Sequence, residues 1–164
     1  MRPNELQKSD DAFQSALKID DQAFMPLMNR GILLVMAKRY ADAESLLRKV
    51  VKMKSDQAVG HYFLGQAVAY QGEFLEAEKE LLTAIKLGGE EMKEAHRLLS
   101  IIYTARGDKK RAADELETYL RLAPTTPDAE QLRRVILRLK GIEAPSPSTS
   151  PTPSPQPKPS PGLP

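Results

Sequence analysis

At 164 residues the chain has room for one ordinary domain, and it contains no cysteine, which excludes a disulfide framework and a thiolate metal site. Its 24 basic and 22 acidic side chains leave a formal net charge of +2, too balanced to imply a nucleic-acid partner. The longest apolar run, Gly31 to Ala37, falls far short of the roughly 20 residues that span a bilayer, so no membrane span is expected.

The N-terminus is polar, with no apolar stretch of the signal-peptide kind. As the sequence stands this implies a cytoplasmic protein, or an envelope or secreted one if a signal lies upstream of Met1. Residues 1–23 carry one helical pattern, Glu5 to Asp21, with Phe13, Ala16 and Ile19 on its apolar side.

From residue 24 the chain repeats itself. Aligned on Ala43, Ala77 and Ala112, which stand 34 and 35 residues apart, three segments place Leu47, Leu81 and Leu116 four residues on. Val51, Ile85 and Leu120 follow at eight residues, and Met53, Leu87 and Leu122 at ten. These offsets suggest one apolar stripe on a helix. Twelve residues before each alanine stands a small residue, Gly31, Gly65 or Ser100, which points to a close approach of two helix backbones. Gly72 and Gly107 would end the first helix of their units in a left-handed conformation, and Asp108 would cap the helix that follows.

Further along, Thr126 as N-cap, Pro127 at the first helical position and Gly141 just past the end predict a last helix over 128–140 with four bases on its exposed side. From Pro145 onward nine of the chain's 13 prolines fall within 20 residues, with Ser and Thr between them. Such a segment lacks the apolar side chains to offset its ordering entropy, so disorder or local polyproline II is expected. It reads as a spacer or tail, with Pro161 to Pro164 as its one P-x-x-P. No stretch alternates with period two, and no strand is expected.

A helix–turn–helix period of about 34 resembles the tetratricopeptide repeat family. Gly31, Gly65 and Ser100 match its small residue in the first helix of the unit, and Ala43, Ala77 and Ala112 its alanine in the second. Tyr40 and Phe74 match the aromatic that opens the second helix, and Pro124 the closing proline. Lys38 stands where the first unit should have its turn glycine, and Lys109 replaces the aromatic of the third. The resemblance implies an all-α, right-handed solenoid. Its divisions would be a half repeat at 1–23 that is second helix only, repeats at 24–57, 58–92 and 93–126, a capping helix at 127–141, and a disordered tail at 142–164. Stacking then buries the apolar face that no helix pair covers alone.

Candidate chemistry is sparse. His61 and His96 sit 35 residues apart at equivalent places, and equivalence in a stack argues for equivalent packing. No ligand spacing supports a metal, the isolated glycines form no phosphate loop, and no nucleophile–base or acid–base set emerges. Neither catalysis nor a cofactor is therefore expected. The resemblance implies instead a protein-interaction scaffold whose first helices line a concave groove. Carried onto this chain, the groove positions are Met25, Met28, Ile32, Val35 and Met36, then Val59, Tyr62, Gln66, Ala69 and Tyr70, then Glu94, Arg97, Ile101 and Thr104. Methionine adapts to varied apolar partners, and Tyr62 and Tyr70 are of the kind that anchor interfaces. The expected partner is a protein or peptide segment. Alternatively the chain is a purely structural C-terminal piece of a longer array, tethered by its tail and without a ligand of its own. Its uncovered N-terminal face could also pair two copies. The positions at which some family members clamp a C-terminal carboxylate hold Met28, Ile32, Phe63, Glu94 and Leu98, so that clamp is not expected.

Overall fold

The computed structural model describes residues 3–142, with the side chains of Pro3, Asn4 and Leu6 excepted. The proline-rich tail expected at the C-terminus lies outside them from residue 143 onward. Among the described residues all regular structure is helical: α1 (Pro3–Ile19), α2 (Phe24–Met36), α3 (Tyr40–Met53), α4 (Ala58–Tyr70), α5 (Phe74–Gly88), a 3-10 turn at Gly89–Met92, α6 (Lys93–Ala105), α7 (Lys109–Leu122) and α8 (Ala129–Leu139).

The chain is a right-handed α-solenoid of antiparallel helix pairs, α2–α3, α4–α5 and α6–α7. Reversal within each pair needs one left-handed residue, supplied by Lys38 (φ 60°), Gly72 (φ 87°) and Gly107 (φ 79°). Each reversal closes with the same six-residue hydrogen bond: Arg39 N–H to Leu34, Glu73 to Val68 and Asp108 to Tyr103, at 2.9, 3.0 and 2.8 Å. Lysine thus performs in the first pair what glycine performs in the others, at the steric cost of a Cβ. Asp108 caps α7 as expected, its Oδ1 accepting from the Arg111 N–H at 3.1 Å.

Small residues do mark the close approaches. A Cβ on Gly31 would stand 2.8 Å from Leu47 Cγ, and one on Gly65 2.9 Å from Leu81 Cγ and 3.3 Å from the Ala77 carbonyl oxygen. The stripe on the second helices differs from the sequence expectation in one respect. Ala43–Leu47–Val50, Ala77–Leu81–Ala84 and Ala112–Leu116–Tyr119 are buried, while Met53 and Leu87 are exposed. At 100° per residue an offset of seven lies about 20° from the alanine, whereas ten lies about 80° away. Ile19, the equivalent of Met53 on α1, is 90% exposed for the same reason. On α1 it is Leu17 that packs against the core.

The start of α8 also differs. Thr126 and Pro127 lie in the preceding turn, where Thr126 Oγ1 donates to Asp128 Oδ1 at 2.8 Å, and Asp128 rather than Thr126 stands at the N-cap position.

Successive pairs are registered by ion pairs as well as by packing. Arg48 reaches Glu76 with two hydrogen bonds of 2.6 and 2.8 Å. Twenty-eight residues separate these partners, and the same step joins Glu78 to Arg106, with Tyr103 O–H also donating to Glu78 at 2.8 Å. Buried Asp10 holds α1 to α2 by accepting from Arg30 Nε at 2.7 Å. Burial pushes the Asp10 carboxyl up, but hydrogen bonds from Arg30 and Gln14 and the charges of Arg30 and Arg39 outweigh it and hold it below the ordinary value.

Candidate functional site

The first helices of the pairs touch one another along the stack, α2 with α4 and α4 with α6, while each second helix packs on the first helix of its own pair and of the next. First helices therefore form the inner layer, and their outward side is the face on which the groove is expected. α2 and α4 are apolar on nearly every side, more than their core contacts consume, which is what leaves apolar side chains on that face.

The fourteen groove positions divide by exposure, with Glu94 and Thr104 exposed and Ala69 buried. Met25, Met36, Val59, Tyr70 and Ile101 are exposed, and Ile32, Tyr62, Gln66 and Arg97 are half-buried. Met28 and Val35 are buried and belong to the core rather than to the groove surface. Met28 packs across to the next repeat, its Cε lying 3.4 Å from where a Cβ on Gly60 of α4 would stand. One of the two apolar stripes on α2 is thereby partly spent on the neighbouring repeat.

Aromatic rings are brought together. Tyr70 stacks on Tyr40 with centroids 4.7 Å apart and planes within 13°, and Tyr62 meets Phe63 edge-on at 5.0 Å. The Tyr40–Tyr70 stack joins the start of α3 to the end of α4, a pairing that sequence spacing does not reveal. Burial, then the charges of Glu94 and Tyr70, push the Tyr62 phenol up to about 12, so it remains a neutral hydrogen-bonding group.

Toward the C-terminus the face deepens into an open pocket of about 420 Å³ between α6, α7 and α8, lined by Arg97, Ile101, Thr104, Leu116, Leu132 and Val135 among others. Sequence reasoning missed the share of α8 in it. The signal was present, since Leu132 and Val135 stand three residues apart on the side away from Arg133 and Arg134. Arg97 forms the polar rim, donating to Asp128 Oδ2 at 2.7 Å with its guanidinium over the Tyr119 ring at 5.6 Å. Glu94 is exposed; it accepts a hydrogen bond from the Tyr119 hydroxyl at 3.5 Å, and its charge acts on Arg97 and Tyr62.

The two histidines do take equivalent places, each with a carboxylate 19 residues later. His61 Nδ1 lies 2.6 Å from Glu80 Oε2, and His96 Nδ1 2.6 Å from Glu115 Oε2. The other ring nitrogen of His61 meets the Ser55 carbonyl at 3.1 Å. In the first pair the corresponding residues are Leu27 and Leu46. These polar pairs tie first helix to second within a repeat. Among the described residues no group of three or more His, Cys, Asp or Glu could hold a metal ion, and no helix is long and apolar enough to cross a membrane.

What the inner face offers is apolar surface, stacked rings and a few polar groups, which is the chemistry of a binding surface. Residues 62–127 match the family profile described as tetratricopeptide repeat. No curated protein sequence matches the chain. Among solved structures, a MamA protein superposes with a TM-score of 0.75 at 24% identity, over 85% of this chain and 75% of that one. YrrB, described as a TPR protein with an unusual peptide-binding site, gives 0.67 at 20% identity over 84% and 71%. TTC0263, a thermophilic TPR protein of Thermus thermophilus, gives 0.68 at 18% identity over 82% and 74%. The tetratricopeptide-repeat profile thus covers the central residues 62–127, and through its described length the chain shares the fold of these helical solenoids.

Proposed function

We propose that the chain is a non-catalytic interaction module that takes a protein or peptide segment along the inner face of its stack. The observation that carries this reading is the row of exposed apolar side chains on that face, Met25, Met36, Val59, Tyr70 and Ile101, leading into the pocket formed with α8. Such a row on the inner layer is surface the fold itself does not cover. The general use of tetratricopeptide repeats as protein scaffolds and the peptide-binding site named for YrrB agree with it.

The test is selection of random peptides on the immobilised chain, followed by titration of the enriched peptides against Tyr62→Ala/Tyr70→Ala and Ile101→Asp. Truncating interface anchors should weaken binding about tenfold or more, with helicity retained by circular dichroism. Absence of enriched peptides, or equal binding by the variants, would overturn the proposal.

A second reading rests on α1. Phe13 and Ala16, equivalent to the fully buried Leu47 and Val50, are only half-covered. That face fits a structural length of a longer stack, or pairing of two copies. Sedimentation across a range of concentrations decides the latter: a single monomeric species removes self-association.

A further inference from the structure

We infer that the segment accepted by the inner face is an apolar one carrying a lysine or arginine set opposite Glu94. This rests on the reading of that face as a peptide groove and adds the charge of the ligand. Glu94 is the sole carboxylate on α2, α4 and α6, the three helices of the inner layer.

The arginines of that layer are already engaged. Arg30 is met by Asp10 at 2.7 Å, and Arg97 by Asp128 at 2.7 Å. The local trio of Glu94, Arg97 and Asp128 therefore keeps one negative charge unmet, and no ion pair within 4.0 Å satisfies Glu94 among the described residues. Its field reaches the groove, because it helps raise the Tyr62 phenol on α4. Residues 73–94 around it hold seven acids against three bases, so the middle of the stack is negative beyond this one group.

The energetic argument concerns docking rather than attraction at a distance. A wholly apolar segment laid over Val59, Tyr62 and Ile101 would strip water from the Glu94 carboxylate and leave it unpaired. An acidic segment would add repulsion. A cationic side chain with an aliphatic stem offsets that desolvation, lays its methylenes on the tyrosine and ends at the carboxylate. Glu94 would then select among apolar segments by penalising the uncharged ones.

Random-peptide display on the wild-type chain and on Glu94→Lys tests this. Wild-type ligands should pair apolar anchors with Lys or Arg, and Glu94→Lys should turn the selection toward acidic peptides. Titrated against a selected basic peptide, Glu94→Gln should lose about tenfold in affinity, while a Lys→Met analogue of that peptide should bind both proteins alike. Because Glu94 is exposed, its glutamine variant should melt as the wild type does, which separates a lost contact from a lost fold. Enrichment of apolar peptides with no basic residue would overturn this inference and leave the groove standing. Enrichment of none on either protein would overturn the groove reading itself.

Discussion

Replacing Glu80 by leucine removes one half of the polar pair that sits where the first repeat has Leu27 and Leu46. His61 and Glu80 are 8% and 7% exposed, so each substitution acts on a group that water barely reaches. His61→Leu leaves the carboxylate buried without its 2.6 Å partner, which costs about 3–5 kcal/mol. Glu80→Leu leaves the imidazole facing methyl groups and loses a charge-assisted bond, about 2–3 kcal/mol. The double change His61→Leu/Glu80→Leu reproduces the pair of the first repeat. It loses the Ser55 hydrogen bond, worth about 1 kcal/mol, but gains two apolar side chains against the core, so its net effect is expected within about 1 kcal/mol of wild type. The coupling between the two positions is then about 4 kcal/mol or more. Urea denaturation followed by circular dichroism measures all four corners of the cycle. In thermal melts each single variant should fall in melting temperature by about 4–20 °C while the double variant recovers. Additive losses, with the double variant the least stable of the four, would refute the reasoning and mean that the site cannot accept an apolar pair.

Gly31→Ala should cost about 1–3 kcal/mol by thermal melting, because its methyl would stand 2.8 Å from Leu47 Cγ and Cδ2, in a side chain with no exposed surface into which to move. Lys38→Gly should stabilise by about 0.5–1 kcal/mol in the same assay, because it relieves the only non-glycine positive φ among the described residues at an exposed position. Stability should fall in acid. The folded-state carboxyls of Asp10, Glu76 and Glu78 lie below their ordinary values, so their contribution is fully present above about pH 5 and is lost as pH falls through those lowered values. Asp10→Asn should flatten that acid limb in melting curves taken from pH 3 to 7, and an unchanged limb would show that the Arg30 contact contributes nothing. Arg48→Ala, which cuts an exposed pair, should cost less than about 1 kcal/mol.

Much of the fold was legible from residue types alone, for a definable reason. The repeat is written in residues whose role is set locally: Gly31 and Gly65 for close approach, Gly72 and Gly107 for the left-handed turn, Asp108 for the cap. The aromatic and methionine positions were less legible. Met28 and Met25 differ by three residues on the same helix, yet one is core and the other exposed. Met28 packs against the next repeat beside Gly60, and no pattern within α2 contains that contact.

By itself, then, the sequence determined the period, the helix pairs, the conformation of the two glycine turns and the residues where helices meet, because each depends on backbone geometry within one unit. Only the tertiary structure decided which apolar stripe remained open, that Tyr70 stacks on Tyr40, that α8 closes a pocket with α6, and that Glu94 keeps an unmet charge beside it. Those outcomes depend on how one unit rotates against the next, and that rotation is settled by packing between residues some thirty positions apart.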